Sequence, residues 1–410
     1  MLLATWRRVC CTKLLLLATL AIVSGYAWFM LLPKQRQHNK QQQQQLPAPR
    51  RPQFRLQQNG NYWIYNEFMR AQAAPLVGNS SITLTTYGNY RELRYLQWLL
   101  VRWSAPISLA LYVRRDEYEA TLQTLYQLQY CSALANSWSS LLSVQLVFAD
   151  GQLPADLRSP LRSRPPNLRC QFNDSSSSSS QRIRNYPRQL LMNVARLNAR
   201  THFIFALELR MLPTLHFVQH FLHFALHFKP HKPNQSVYCV RSFPQVAQDQ
   251  QLPKYKSQLR QQLLPYLNYS LNLTAMETKY LADVAHWLLK RGELENDLGV
   301  YEISADFSNC AAYVSSNAFE PLYDQHWGKS FQQVNAAQLQ ILSGLGFDFI
   351  VLDGTFLIRR QPSWLASHPA GDFSSLLYKD AALPPQLAFQ RVDHINELIK
   401  LNKLALGYLY

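Results

Sequence analysis

The stretch His202–Thr214, HFIFALELRMLPT, sets an acid, Glu208, and a guanidinium, Arg210, directly after the apolar run Phe203 to Leu207. Such a run predicts a strand buried on both faces, and open α/β sheets hold ligands beyond the carboxyl ends of such strands. A carboxylate there can accept from hydroxyls or bind a cation. A guanidinium there meets phosphate or carboxylate through paired N–H bonds. The plainer reading is an ion pair leaving the sheet. His216, His220, His223 and His227 also invite a chemical reading, because they recur at helical spacing in LHFVQHFLHFALHF. No carboxylate is interleaved, so neither H-E-x-x-H nor a facial triad is present. The expectation is an amphipathic helix with a histidine side, opposite Phe217, Phe221, Phe224 and Phe228.

Elements that would position Glu208 can be read on both sides of it. SITLTTYGN from Ser81, PISLALYV from Pro106 and SVQLVFAD from Ser143 are strands, separated by the helical patterns RELRYLQWLLVRW and RDEYEATLQTLYQLQYC. Strands alternating with helices predict an α/β fold with a mostly parallel central sheet. YPRQLLMNVARLNAR adds a helix before the Glu208 strand, and FDFIVLD with TFLIR closes the pattern, ending in Arg359 and Arg360. No G-x-G-x-x-G or phosphate loop follows a strand, which disfavours nicotinamide enzymes and nucleoside triphosphatases.

The first part of the chain is of another kind. Leu14 to Leu32 carries no charge and spans about 28 Å as a helix, enough for a bilayer. Its length and the lack of a prompt cleavage site favour an anchor over a signal peptide. The expected organisation is a cytosolic tail 1–13, a transmembrane signal anchor 14–32, a stem 33–78 and a lumenal domain 79–410. The formal net charge of +16 does not mark a nucleic-acid binder, because no Asp or Glu precedes Glu67 and much of the excess lies in tail and stem. Sequons at Asn79, Asn173, Asn234, Asn268 and Asn272 suit a lumen. Cys131, Cys170, Cys239 and Cys310 permit two disulfides in any of three pairings. Cys10 and Cys11 read equally as acylation sites and as ordinary thiols.

Three blocks together resemble glycosyltransferase family 49, the LARGE-type xylosyl- and glucuronyltransferases and the beta-1,4-glucuronyltransferase. They are LTTYGNYRELRYLQWLLVRWSAPISLALYV from Leu84, YPRQLLMNVARLNARTHFIFALELRMLPT from Tyr186, and FEP at Phe319 with GFDFIVLDGTFLIR from Gly346. The resemblance implies a GT-A glycosyltransferase fold, a single-pass type II protein of the Golgi membrane, a UDP-sugar donor and a glycoprotein glycan as acceptor. The single catalytic-type domain points to the beta-1,4-glucuronyltransferase branch and hence to glucuronate. It also implies that Thr85, Glu208, Arg210 and Arg359 line the donor site.

Departures from the family's pattern fall on its metal. The D-x-D acids correspond to Glu208 and Arg210, and the metal-binding histidine corresponds to Arg359, so Glu208 is the one ligand-like residue retained. Mn2+, usual in the family, is therefore not expected here, and two arginines would meet the diphosphate instead. Inverting transfer also needs a base for the acceptor hydroxyl. Glu320 and Asp348 are the leading candidates, with Asp324 and Asp353 behind them. The alternative expectation is a catalytically silent lumenal module of the same fold, partnering an active transferase.

Overall fold

The computed structural model describes residues 55–71, 78–132, 135–157, 164–170, 186–245, 251–267, 275–290, 298–325, 330–360, 396 and 398–402. The expected anchor Leu14–Leu32, Cys10, Cys11, Asn173, Asn268 and Asn272 lie outside the described residues. Among the described residues no helix is long and apolar enough to cross a membrane.

The described chain opens with a hairpin. β1 (Leu56–Asn59) and β2 (Tyr62–Met69) pair antiparallel around Gly60, whose φ is 55°. Glycine takes that left-handed conformation without a Cβ penalty. β2 also pairs with β5 (Leu142–Ala149), so part of the range expected for the stem belongs to the sheet.

β3 (Gly78–Gly88), α1 (Leu96–Trp103), β4 (Ile107–Tyr112), α2 (Tyr118–Cys131), α3 (Ala135–Leu141) and β5 (Leu142–Ala149) follow in alternation. α4 (Arg188–Leu197) then leads into β6 (Thr201–Ala206). β4 lies parallel to β3 on one side and β6 lies parallel to β3 on the other, with β5 parallel to β4. This four-stranded centre matches the strand–helix alternation read in the sequence.

Beyond β6 the pattern changes. The elements are β7 (Met211–Pro213), α5 (Phe217–His227), β8 (Ser236–Pro244), α6 (Lys256–Leu267), α7 (Ala275–Leu289), β9 (Gly299–Ser304), β10 (Ala312–Ser316), α8 (Phe331–Gly344) and β11 (Asp348–Arg359). β10 sits antiparallel between β6 and β8, and β11 runs parallel to β8. β7 and β9 pair antiparallel with β11. The 11-stranded sheet is therefore mixed rather than mostly parallel. An apolar run buries equally well in either direction, so its composition carries no sign of strand polarity.

β6 is interior, flanked by β3 and β10, as its unbroken apolar run requires. α5 covers this region with Phe217, Phe221 and Phe224 buried, while His216, His223 and His227 face outward. Phe217 lies 5.2 Å from Phe205 and 5.8 Å from Trp103, and Phe221 lies 5.1 Å from Tyr238. Each such ring contributes about 1.5–3 kcal/mol through burial, so the phenylalanine spacing fixes how the helix docks. The disulfides are Cys131–Cys170, which ties the end of α2 to a loop, and Cys239–Cys310, which joins β8 to the approach of β10.

Candidate functional site

The strand order makes the carboxyl ends of β3 and β6 a topological switch point, the place where open α/β sheets form a ligand crevice. β3 has β4, its successor in the chain, on one side and β6, reached only after β5, on the other. Connections leaving the carboxyl ends of β3 and β6 therefore diverge, and a sheet opens at such a switch point. Tyr87 and Gly88 end β3. The β6 ladder continues to Leu207, whose N–H donates to the Thr85 carbonyl at 3.0 Å, and the next residue is Glu208. Thr85 itself is buried in the strand, with its backbone at the floor of this junction.

Glu92 occupies the centre. Asn89 caps the short 3-10 helix Tyr90–Tyr95, and the Glu92 carboxylate returns to accept from the Asn89 N–H at 3.3 Å. This capping box turns Glu92 inward. Its Oε2 also accepts from the Tyr186 hydroxyl at 3.3 Å. Burial pushes the Glu92 carboxyl above its usual range, Arg210 opposes that shift, and Glu208 adds to it. Glu92, Glu208 and Arg210 therefore share one electrostatic environment. Gly88 is required by the crowding, since a Cβ there would lie 2.8 Å from Leu209 Cδ1 and 3.0 Å from Glu92 Oε2.

Aromatic rings form the wall beside Glu92. Tyr186 packs 6.1 Å from Tyr87 and 6.3 Å from Tyr112, and the Arg188 guanidinium lies 4.8 Å from the Tyr186 ring centre. Burial drives the Tyr87 phenol far above its ordinary range, with Glu208 the largest charge adding to that effect. Among the described residues the buried Tyr87 hydroxyl has no hydrogen-bond partner.

Glu208 and Arg210 are both half-buried and lie in a tight turn closed by Met211 N–H to Glu208 O at 2.9 Å. The Arg210 carbonyl accepts from the Arg360 N–H at 2.9 Å, while Arg359 pairs across from Met211. The backbones of Arg210 and Arg359 are thus brought together. Their side chains have different surroundings. Arg359 is buried against Gln332 at the start of α8, whose amide oxygen, suitably oriented, accepts from Arg359 Nη2 at 3.0 Å. Arg210 acts instead on Glu92.

The acids expected as bases lie elsewhere. Glu320 is 5% exposed, and its carboxylate accepts from Tyr313 Oη at 2.7 Å, Gln338 Nε2 at 3.1 Å and the Ser315 hydroxyl. With Arg196 Nη1 at 3.7 Å, it is fully engaged in holding its own loop. Asp348 pairs with Lys232 at 2.9 Å at the amino end of β11, roughly 35 Å along the strand from Arg359. It cannot share a site with the β11 carboxyl end. Asp353 is buried on Lys256 at 2.5 Å. Asp324 follows Tyr323, which is tied to α4. The crevice acids are Glu208 and Glu92. Sequence reading passed over Glu92 because Asn89-x-x-Glu92 is a capping signature. It passed over Tyr87, Tyr186 and Arg188 because only the fold joins them.

A divalent metal does not fit these residues. Guanidiniums stand at two positions where the resemblance would put ligands, and a guanidinium has no lone pair to donate. Among the described residues no three His, Cys, Asp or Glu side chains are grouped to hold a metal.

Comparisons with known proteins bear on this geometry. A family model described as "Glycosyl-transferase for dystroglycan" matches residues 81–361. No curated protein matches the chain. Among solved structures, the crystal structure of GalNAc-T7 with UDP, GalNAc and Mn2+ aligns at 11% identity and a TM-score of 0.35, over 79% of this chain and 55% of that one. The chain thus spans little more than half the length of that structure, and so loose a likeness adds nothing to the account of the crevice.

Proposed function

The chain belongs to the family of glycosyl-transferases for dystroglycan, and on that premise we propose that it transfers a sugar, glucuronate foremost, from a UDP donor to a glycoprotein glycan. The observation that carries the reading is the switch-point crevice, where Arg210 and Glu208 both act on the Glu92 carboxyl and Arg188 lies over the neighbouring Tyr186 ring. In this reading Arg210 meets the diphosphate, with Arg188 near it and Arg359 on the paired strand. Glu208 accepts from ribose hydroxyls, and the β3 backbone at Thr85 floors the site. As UDP leaves, charge grows on the diphosphate, and a fixed guanidinium stabilises it without a metal. The acceptor's proton goes to a crevice acid rather than to Glu320 or Asp348. The same reading puts the chain in the Golgi membrane as a single-pass type II protein, beside any partner transferase.

A catalytically silent module is the second reading. What favours it is that Arg359 and Glu320, both expected to serve chemistry, are engaged by Gln332 and by Tyr313, Ser315, Gln338 and Arg196 respectively.

Calorimetry with UDP on the purified chain, in chelator and in excess manganese, separates the two. Equal binding in both buffers is expected. Arg210→Ala should weaken it by roughly thirtyfold, the effect of removing a charge-paired hydrogen-bonding group worth about 2 kcal/mol. Strictly manganese-dependent binding would end the arginine-for-metal reading. Absence of nucleotide binding in either buffer would leave the silent module.

A further inference from the structure

Beside the crevice, the 3-10 helix Tyr90–Tyr95 and α1 present a continuous outer face. Arg91, Arg94, Trp98 and Val101 recur at three- and four-residue spacing and are exposed, Trp98 by 50% and Val101 by 54%. Three guanidiniums lie on three aromatic rings along it. Arg91 is 5.5 Å from the Tyr90 ring centre, Arg94 is 5.0 Å from Tyr95, and Arg360, arriving from the end of β11, is 4.4 Å from Trp98. Arg91 Nε and Arg94 Nη2 also donate to the hydroxyls of those tyrosines at 3.1 Å. Stacking on a ring holds a guanidinium in place and leaves N–H groups at its rim for an anion.

Charge borne by this face itself is basic, while Asp116 and Glu117 of the neighbouring segment act on Arg91 at one end of it. The only acid from Tyr90 to Trp103 is Glu92, and its carboxylate is turned into the crevice. Glu117 approaches Arg91 at 3.7 Å from the neighbouring segment. The face is also continuous with the candidate site, because Glu92 sits on the same 3-10 helix and Arg360 donates its N–H to the Arg210 carbonyl.

We infer that this face binds an anionic glycan, an oligosaccharide whose sugars carry carboxylate or sulfate groups, and that it is the acceptor side of the neighbouring crevice; the acceptor role rests on the transferase reading. The exposed indole of Trp98 suits the C–H face of a sugar ring, and the guanidinium rims suit acidic substituents. From Arg91 to Val101 the face runs about 15 Å, the length of several sugars rather than one. Single exposed charge pairs contribute little, so recognition comes from several contacts along a chain and weakens with salt.

Fluorescence anisotropy on the purified full-length chain tests this. The probes are labelled hexasaccharides from heparin and from hyaluronan, with maltohexaose and hexaglutamate as controls. One or both acidic hexasaccharides should bind, and which one does identifies sulfate or carboxylate as the group read. Maltohexaose and hexaglutamate should not bind. Arg94→Gln and Trp98→Ala should each weaken binding by about fivefold; Arg94→Gln should leave the thermal melt unchanged because that side chain is exposed. Equal binding of maltohexaose would overturn the inference, and equal binding of hexaglutamate would replace it with a protein partner. Acidic-glycan binding untouched by either substitution would overturn it too, by placing the interaction on other basic residues. UDP calorimetry on Trp98→Ala keeps the two readings apart. If glycan binding follows Arg94 and Trp98 while UDP binds nowhere, the transferase reading falls and the glycan surface stands.

Discussion

At the scale of residues, Glu92 shows what the crevice demands of its side chains. Its carboxyl is raised chiefly by burial, and Glu208 adds to that, with Arg210 in partial opposition. A carboxyl whose folded value lies above its unfolded one keeps its proton longer in the folded chain. Its contribution to stability is thus present below the ordinary glutamate range and is lost as pH rises through the folded value. Glu92→Gln should therefore melt higher than the parent at neutral pH, and the gap should close in acid. Scanning calorimetry at both conditions checks the sign. The amide oxygen can still accept from Asn89 and Tyr186, so the cap survives the change. Glu208 was legible as a chemical residue because it interrupts an apolar run. Glu92 was not, because its local job as a helix cap accounts for its identity without reference to anything across the sheet.

Among the elements, α4 is the one on which the later part of the chain is hung. Asn193 exchanges two hydrogen bonds with the Tyr323 backbone, at 2.8 and 2.9 Å. Arg196 donates to Asn317 Oδ1, to Pro321 O and to the carbonyls of Asn317 and Glu320. The second and third sequence blocks are thereby one structural unit. Arg196→Ala should cost about 3–5 kcal/mol in urea unfolding, the usual penalty for leaving a buried charge without its partner. Adding Glu320→Gln should restore part of that loss, because the stranded charge is then gone. β6 and α5 could be anticipated from periodicity and length. The hairpin β1–β2 was missed despite its Gly60-Asn61 turn, since the glutamine-rich approach suggested a chain that does not pack. Strand direction was missed because β8 and β10 read the same either way round.

For the whole molecule, the sequons suggest an orientation that glycosylation can test. Asn79 is exposed at the beginning of β3, whereas Asn234 is half-buried in the turn before β8. If the domain stands in the lumen, endoglycosidase should lower the mass of the expressed chain, and Asn79→Gln should remove one step of that change on a gel. An unchanged mass together with cytosolic labelling of the domain would reverse the topology. Two disulfides in one domain agree with the oxidising compartment this orientation requires.

The order of strands also sets a timetable for biogenesis. β3, β4, β5 and β6 can associate as soon as they leave the ribosome, but the free side of β6 is closed by β10, whose first residue, Ala312, comes 106 positions after Ala206. At translation rates of roughly 5–20 residues per second, that apolar edge waits about 5–20 seconds for its partner. Through that interval a nascent half-sheet offers unpaired backbone and phenylalanine to any other chain, so one strand needs shielding until another is made.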